Sequence, residues 1–436
     1  MRLRLPAMIE ETDVAVVGAG GGGAVLALAL AQKGVRTIIL DQAAGPPTGL
    51  RGELLQPNGQ HVLDRLGVLK RLPENATRSI RTFHFCRAGG ERLCSIDYGD
   101  LPPPYNRAIV TLPNVAHHAI VEAVTEESTA TLRYGSSFVG LIRDGDGVTG
   151  LTVQGPEGPY TIKSKLVVGA DGAFSKVRHA LGIAADLHLY PEGYLIDMVD
   201  QTQALAESFY YVGHKQILGL FPATGSKVYV FYMIPSGSYD AVKQQGITAL
   251  RQAWTSIAPR FAPLFESLGD WNQTAYMPTG RVRTPTWVAD GAVLIGDAAH
   301  AMNPHASQGR MQAMVDAVTL AELVPSCLAD GDCSAGRLAA YERMRRQQVS
   351  MLQRLADQQV FYWNTGNPLI AWLRDRVFRT LDRNARLRYQ VLSTTAGLRQ
   401  TPPLSVADRL IAAGFLPDLF SMSARPSSAT RPHGYD

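Results

Sequence analysis

The stretch that decides the fold is DVAVVGAGGGG, which runs from Asp13 to Gly23. Its first five residues form a short, valine-rich run that is typical of a strand buried in a parallel sheet. The glycines predict a tight turn, and the small apolar residues of Ala24–Lys33 predict a helix. A second strand is predicted over Val35–Leu40, directly before Asp41. This succession predicts one unit of a parallel α/β sheet, made of a strand, a turn, a helix, a second strand and then an acidic residue.

The glycines Gly18, Gly20 and Gly23 have the spacing G-x-G-x-x-G. The first makes the turn, the second lets a pyrophosphate approach the backbone, and the third allows close packing of helix on strand. The free N–H groups at the start of the helix favour phosphate, and Asp41 is placed to accept hydrogen bonds from a ribose. We therefore predict a dinucleotide site, and this unit alone does not distinguish FAD from NAD.

Two later segments repeat the pattern of a buried strand that ends in glycine and aspartate. VVGADGAFSKVR spans Val167–Arg178 and contains Asp171, and VLIGDAAH spans Val293–His300 and contains Gly296 and Asp297. The second segment is followed by Pro304, and Gln308-Gly309 then begins a predicted helix that contains Asp316.

The three motifs, in this order and spacing, resemble the aromatic hydroxylase family of single-component FAD-dependent monooxygenases, typified by p-hydroxybenzoate hydroxylase. The segments Arg51–Pro57 and Tyr341–Arg346 resemble the corresponding parts of the family, so that the similarity covers about residues 13 to 350. The resemblance implies FAD as the bound cofactor and NAD(P)H as a transient reductant.

The resemblance also implies which residues hold FAD. Asp297 would accept a hydrogen bond from the ribityl chain, the helix start at Gly309 would face the pyrimidine edge of the flavin, and Asp171 would lie near the pyrophosphate. A helix cap is the alternative role for Asp171. For His300 we expect a structural hydrogen bond, with proton transfer as the alternative. The predicted cofactor-binding residues are Gly18, Gly20, Gly23, Asp41, Arg51, Asp171, Gly296, Asp297, Gly309, Arg310 and Met311.

The cofactor motifs depart from the family pattern at two places. Gly21-Gly22 replaces a Pro-Ala pair, and Met311 occupies a position where the family commonly has asparagine. The contacts made by the backbone are retained and one side-chain contact is lost. We expect FAD binding to persist, with a change in flavin mobility, oxygen activation or the reductive half-reaction.

The activity that the resemblance implies is hydroxylation of an aromatic or polycyclic, secondary-metabolite-type compound with O2, through a flavin C4a-hydroperoxide. The substrate would lie between the flavin and an inserted sheet. Alternation along Lys227–Met233 separates Tyr229 and Phe231 from Tyr232, so these rings cannot all face one ligand. Candidate substrate residues are Tyr210, Phe221, Pro222 and Tyr232, and candidate catalytic residues are His214 and Pro304. A core role is the alternative for each ring, and an exposed turn position is the alternative for His214.

The predicted fold is α/β, with a discontinuous Rossmann-like FAD-binding domain, an inserted mixed β-sheet domain and a C-terminal helical region. The predicted boundaries are 10–80, 105–185 and 275–365 for the first domain, 81–104 and 186–274 for the second, and 366–436 for the third. The basic, partly apolar segment Asn367–Arg379 is expected to pack on the cofactor domain, with docking on a membrane or partner as the alternative.

The composition fits an enzyme better than a nucleic-acid-binding protein. The 436 residues carry 42 basic and 38 acidic side chains that are interspersed, and 46% are hydrophobic. The four cysteines form no metal-binding spacing, and no signal peptide or membrane-spanning helix is expected. A cytoplasmic monomer or homodimer, acting on a small molecule and binding neither metal nor nucleic acid, is predicted.

Three alternatives share the cofactor domain. A halogenase would need a Trp-x-Trp segment, which the sequence lacks. A reductase or dehydrogenase acting on an isoprenoid or quinone-like compound, and a non-catalytic FAD-binding protein, stay open. The substrate and the choice of NADH, NADPH or an external reductase are likewise open.

Overall fold

The computed structural model describes residues 9–50, 53–202 and 205–419, so the predicted cofactor residue Arg51 lies outside the described residues. Strands β1 to β18, in chain order, are Ile9–Val17, Thr37–Leu40, Glu53–Leu55, Thr77–Ile80, Thr82–Arg87, Arg92–Asp97, Ala108–Thr111, Ala130–Arg133, Ser137–Asp144, Gly147–Gly155, Gly158–Gly169, Asp186–Asp200, Ser208–Gly213, Gln216–Pro222, Lys227–Pro235, Thr274–Arg283, Val288–Ala289 and Ala292–Leu294. Helices α1 to α13 are Gly21–Ala31, Pro57–Arg65, Val115–Glu126, Lys176–Ala180, Tyr239–Gln245, Ile247–Ile257, Ala262–Phe265, Asp297–His300, Gly309–Asp330, Ala335–Trp363, Pro368–Arg383, Ala385–Thr395 and Val406–Ala412.

The first sheet has the strand order β17-β18-β11-β1-β2-β8, with β10 and β9 added beside β11. The strands β18, β11, β1, β2 and β8 run parallel, and β1 lies at their centre. Helices α1, α3 and α9 pack together over this sheet, and their apolar residues share its core. The three predicted motif strands, β1, β11 and β18, are neighbours, so their carboxyl ends meet at one edge.

The second sheet is mixed, with the order β16-β12-β15-β14-β13-β5-β6 and a parallel pair formed by β13 and β5. A third, small antiparallel sheet has the strand order β3-β7-β4. The strand β16 extends the second sheet past residue 274, where the sequence predicted that the inserted region ends. The chain is therefore α/β, with a parallel sheet, an inserted mixed sheet and C-terminal helices.

The two faces of the mixed sheet pack against different partners. Tyr229 and Phe231 face a core that includes residues of α11 and α12, whereas Val230 and Tyr232 face the apolar side of α6 and α7. The split follows from the two-residue period of a strand, as predicted for Lys227–Met233.

The C-terminal segment packs on more than the predicted surface. Helix α11 lies mainly on β6 of the mixed sheet, and it also contacts α10, which falls within the predicted cofactor domain. Asp375 forms an ion pair with Arg87, and Asp382 accepts a hydrogen bond from the backbone N–H of Ser95. The reason is that Phe378 and Leu381 are apolar on one side of the helix and complete the core on that face of the sheet.

Helix α9 is long and apolar enough to cross a membrane by length and composition. Most of its apolar window is buried inside the protein, where it packs against α1, α2 and α10. It is therefore a core helix of the first domain.

Candidate active site

The glycine turn after β1 has the geometry that its spacing predicts. Gly18 has a φ of +102°, and a Cβ added to it would lie 2.4 Å from the carbonyl oxygen of Ala170. A Cβ on Gly23 would lie 1.9 Å from the carbonyl oxygen of Gly18, so only glycine allows this approach of helix and strand. A Cβ on Gly20 would meet nothing within 4 Å. The second glycine thus borders open space that a phosphate could enter.

Two groups beside this space suit a nucleotide. Helix α1 begins at Gly21, and its N-cap residue Gly20 has no side chain to cap it, which leaves the first N–H groups for an anion. Asp41 follows β2, and its carboxylate accepts hydrogen bonds from the N–H groups of Ala19 at 2.9 Å and Ala43 at 2.8 Å. These bonds orient the carboxylate, and its remaining lone pairs are able to accept from ribose hydroxyls.

Asp171 lies beside the same turn, since a Cβ on Gly18 would be 3.1 Å from its Cα atom. Its carboxylate accepts hydrogen bonds from the N–H groups of Lys176 and Val177 at 2.7 and 3.0 Å, and from the Ser175 hydroxyl at 2.5 Å. Asp171 therefore supports the start of α4 beside the N-cap residue, Ser175, and this helix-start role is near the capping role that the sequence left as an alternative.

The third motif forms a turn at the end of β18. Gly296 has a φ of +58°, and a Cβ there would lie 2.8 Å from the Cβ atom of Ala313. Asp297 is exposed, and Oδ1 of its carboxylate lies 4.0 Å from a Cβ added to Gly309. Helix α9 begins beside it without a side-chain cap. A carboxylate and a free helix start therefore face the same side of the sheet edge.

Behind this turn lies a buried carboxylate, Asp316. It accepts a hydrogen bond from the Gly296 N–H at 3.0 Å, contacts Nε2 of His300 at 2.5 Å and pairs with Arg345 at 2.8 Å. Burial alone would raise the pKa of Asp316, but the neighbouring His300 and Arg345 outweigh it and hold that pKa below its usual value. His300 thus makes a structural hydrogen bond, which is the role that the sequence favoured over proton transfer.

The buried polar groups continue from Arg345 towards α2. Arg345 donates to the Gln312 side chain, whose amide donates to Gln308 Oε1 at 2.8 Å. Asn58 also donates to Gln308 Oε1 at 3.0 Å, and the Gln308 amide donates to the carbonyl oxygen of Thr395 at 2.7 Å. This network joins the start of α9 to α2, α10 and the end of α12.

The first turn of α9 fits against two glycines. The Arg310 side chain lies where a Cβ on Gly21 would be, with Nε 2.7 Å from that position. The Met311 sulfur lies 2.0 Å from the position of a Cβ on Gly59, in the first turn of α2. Met311, which replaces the usual asparagine, is therefore a buried packing residue between α9 and α2.

His305 follows Pro304 in the short turn between α8 and α9 and contacts the mixed sheet. Its Nε2 lies 2.7 Å from the hydroxyl of Tyr194, and its Nδ1 lies 2.7 Å from the hydroxyl of Tyr210. All three side chains are buried. The turn after the Gly-Asp motif is thereby tied to β12 and β13 at the place where the two sheets meet.

Aromatic rings surround His305. The ring of Phe231 stacks on Tyr194 with centroids 4.2 Å apart and an interplanar angle of 11°, and Trp363 lies 5.2 Å from His305. Phe221 lies 6.3 Å from Tyr210. The cluster is apolar except for the hydroxyl and imidazole groups, and its rings pack on one another in the core of this face.

Comparison with known protein families also indicates an FAD-binding domain. Residues 11–356 match the model of the family described as FAD binding domain. The chain belongs to this family.

Named relatives in the family are monooxygenases. The chain is 28% identical over 358 residues to 6-methylpretetramide 4-monooxygenase of Streptomyces rimosus, covering 81% of this chain and 84% of that protein. It is 30% identical over 393 residues to kynurenine 3-monooxygenase of Salinispora tropica, covering 84% and 81%. The crystal structure of p-nitrophenol 4-monooxygenase from Pseudomonas putida aligns with a TM-score of 0.80 at 22% identity, covering 89% of this chain and all of that one. The chain is therefore an FAD-dependent monooxygenase, and NAD(P)H is the reductant typical of the family.

The structure brings only part of the predicted substrate set together in this flavoprotein. Tyr210 contacts His305, and Phe221 lies in the same apolar face. Pro222 pairs with Val228, whose side chain faces the opposite core. Tyr232 also lies on that opposite face, with its ring 6.2 Å from Trp254.

The two predicted catalytic residues, His214 and Pro304, lie in different parts of the structure. His214 is exposed in the turn between β13 and β14 and packs on Gly366. Pro304 directly precedes His305 and is half-buried. Sequence reasoning missed His305 and Tyr194, and the available signal was a histidine directly after the proline of the third motif.

Proposed function

We propose that this flavoprotein hydroxylates a phenolic aromatic compound beside His305, with His305, Tyr194 and Tyr210 moving the phenol proton. The observation that supports it is the buried imidazole with a tyrosine hydroxyl on each nitrogen. Removing the proton from a phenol makes its ring richer in electrons, which favours attack on an electrophilic oxygen. The p-nitrophenol named in one relative is itself a phenol.

The glycine turns, Asp41, Asp297 and the start of α9 would hold FAD. FAD fits these residues because Gly20 borders open space and because two helix starts lack side-chain caps. When bound, FAD supplies the redox and oxygen-transfer chemistry. The protein supplies orientation, the exclusion of water by the aromatic cluster, and the proton path.

The proton path follows from the donors and acceptors of a neutral imidazole. Burial lowers the pKa of His305 to about 3, so the ring is neutral at pH 7. One ring nitrogen then accepts from one tyrosine and the other donates to the second. The second tyrosine keeps its own O–H proton for a further acceptor. Burial raises the pKa of both Tyr194 and Tyr210, so both are neutral and can pass a proton in either direction.

A buried carboxyl lies close to this path. Glu192 Oε1 lies 3.5 Å from the amide nitrogen of Asn303, and Asn303 accepts a hydrogen bond from the His305 backbone at 3.3 Å. Burial raises the pKa of Glu192. Glu192 is a candidate for the group that supports the position of the His305 turn.

The residues proposed to contact FAD are those predicted from the sequence, with Met311 as a packing residue. We propose that the enzyme is a cytoplasmic monomer or homodimer, that its direct reductant is NAD(P)H, and that the region around residues 186–274 binds the substrate.

The decisive experiment measures NAD(P)H oxidation and O2 consumption by the purified holoenzyme with a series of phenols and their methyl ethers. Phenols should stimulate both rates and give hydroxylated products, and the ethers should not. Stimulation of NAD(P)H oxidation without hydroxylated product from any phenol would contradict the proposal. Anaerobic turnover with a quinone would instead support the reductase alternative.

A further inference from the structure

The outer side of helix α11 carries apolar and basic residues. The inner side packs on β6, and the outer side presents exposed residues at the spacing of helical turns, namely Leu369, Trp372, Arg376 and Arg383. Leu369 is 70% exposed and Trp372 is 48% exposed. The guanidinium group of Arg376 lies over the Trp372 ring, 5.4 Å from its centroid. Exposed apolar side chains next to cations distinguish this side from an ordinary polar helix surface.

Helix α13 and the turn after it extend this surface. Arg376 donates a hydrogen bond to the carbonyl oxygen of Gly414 at 3.1 Å, which joins the outer side of α11 to that turn. The next residue, Phe415, is 64% exposed, and its N–H donates to the carbonyl oxygen of Leu410. Leu410 and Val406 are both exposed, one turn apart on α13. We define the C-terminal face by its exposed residues, which are Leu369, Trp372, Arg376, Arg383, Val406, Leu410 and Phe415.

A hollow of about 460 Å³ opens beside α13. Val406 of the C-terminal face lines this hollow, together with Arg399 and Arg409. A guanidinium group binds phosphate oxygens through charge-assisted hydrogen bonds. Two arginines in a hollow next to an exposed apolar surface therefore suit the phosphate group of a lipid whose acyl chains lie against that surface.

The acidic side chains of this region are turned towards partners inside the protein. Between residues 368 and 419, all of which the structure describes, none of the four aspartates is exposed. Their partners are Arg87 for Asp375, the Ser95 N–H for Asp382, and Arg386 for Asp408 and Asp418. Arg376, Arg383 and Arg409 are exposed. The charge that this region presents to its surroundings is therefore positive.

We propose that the C-terminal face docks the enzyme on the surface of an anionic lipid bilayer. Leu369, Trp372 and Phe415 enter the headgroup layer, and the arginines contact lipid phosphates. Apolar and aromatic side chains beside exposed cations are the pattern of helices that lie in a membrane interface. A second copy of this chain fits the face less well, because a two-fold contact would set the arginines of one copy against those of the other. The inference does not rest on the phenol hydroxylation proposed above.

The first test is flotation of the holoenzyme with vesicles of phosphatidylcholine alone and of equimolar phosphatidylcholine and phosphatidylglycerol. The enzyme should float with the anionic vesicles, and salt should weaken this binding. Anionic vesicles with brominated acyl chains should quench tryptophan fluorescence, and Trp372→Phe should lose most of the quenching. No binding to anionic vesicles at low salt, or equal binding to both kinds of vesicle, would overturn the proposal.

The second test measures the affinity of variants for the anionic vesicles. Arg383→Gln combined with Arg409→Gln should weaken binding about 25-fold at low salt, or about fivefold for each arginine. Arg36→Gln combined with Arg143→Gln is the matched control, because both arginines are exposed on the first domain and the change in net charge is the same. An equal loss in the control would show that binding reflects net charge alone and would contradict the proposal.

Trp372→Gln tests the apolar part of the face. It should weaken binding about tenfold, because the ring no longer leaves water on docking. Val139→Gln is the control, since Val139 is exposed on β9 of the first sheet and should leave binding unchanged. Flavin content should be equal in all variants, which checks their folding. A dimer that Trp372→Gln separates in light scattering without vesicles would assign the face to a contact between copies and overturn the proposal.

Discussion

The cofactor face and the aromatic face of this flavoprotein meet at the turn that contains Pro304 and His305, but they are built differently. The cofactor face is made of backbone: Gly18 and Gly23 permit close approach, and the starts of α1 and α9 present N–H groups. The aromatic face is made of side chains from β12, β13, β15 and α10 that converge on His305.

The cofactor face and the aromatic face differ in how far apart in the sequence their contributing residues lie. A backbone site is specified by a few adjacent residues, because each glycine meets a local steric requirement. A side-chain site depends on the register of strands that are distant in sequence. The two faces should therefore respond differently to substitution.

The largest effect is expected from Gly23→Ala on the cofactor face. The new Cβ would lie 1.9 Å from the carbonyl oxygen of Gly18, so α1 must move away from β1 and the nucleotide turn is lost. We expect purified protein without the flavin absorption band. Gly45→Ala is the control, because a Cβ there meets nothing within 4 Å and should leave flavin content unchanged. If Gly23→Ala retained its full flavin content, the cofactor face would not depend on the backbone geometry of this glycine, and the contrast with the aromatic face would fail.

Asp316→Asn tests the buried support of the cofactor face. The change leaves Arg345 and His300 without their carboxylate, and loss of a buried charge partner costs about 3–5 kcal/mol of unfolding free energy. Urea unfolding of the holoenzyme measures it. Glu322→Gln, on the same helix, removes only exposed pairs with Lys33 and Arg65 and should cost about 1 kcal/mol or less. Equal losses in the two variants would show that the network is not a stabilising element.

The pH dependence of stability tests burial on the aromatic face. His305 stays neutral in the folded protein down to about pH 3, whereas it gains a proton near pH 6.5 when unfolded. The unfolded state therefore binds more protons in this window, and stability falls as the pH falls through it. At pH 5 the loss should be about 2 kcal/mol relative to pH 8. His305→Gln should lack this component, as measured by urea unfolding at both pH values, and an identical pH slope in the variant would place His305 in solvent.

The smallest effect is expected for single hydroxyl groups on the aromatic face. Tyr210→Phe leaves one nitrogen of a buried imidazole without its partner and should cost about 1–3 kcal/mol of stability. It should also slow hydroxylation more than flavin reduction. Tyr229→Phe is the matched control, since within the described part of the chain its buried hydroxyl makes no hydrogen bond, and its removal should be neutral or stabilising. A larger loss in Tyr229→Phe than in Tyr210→Phe would contradict the proposed proton path.

By itself, the sequence determined the cofactor half. The glycine spacing and Asp41 predicted the parallel sheet and a dinucleotide site, because a glycine turn meets a local steric requirement. The resemblance of the three motifs to a known family then implied FAD. Alternation within β15 also separated Tyr229 and Phe231 from Tyr232 correctly, since a strand has a fixed period.

The aromatic face could not be predicted without the tertiary structure. Tyr194, Tyr210 and His305 are brought together by strand register and by the turn after α8. The position of His305 directly after Pro304 is a signal in the sequence, but it does not indicate which tyrosines His305 contacts. The same holds for α11, whose apolar stripe fits two possible surfaces and whose position is chosen by the core beside β6. Packing between distant elements selects one of several faces that the local pattern leaves equivalent.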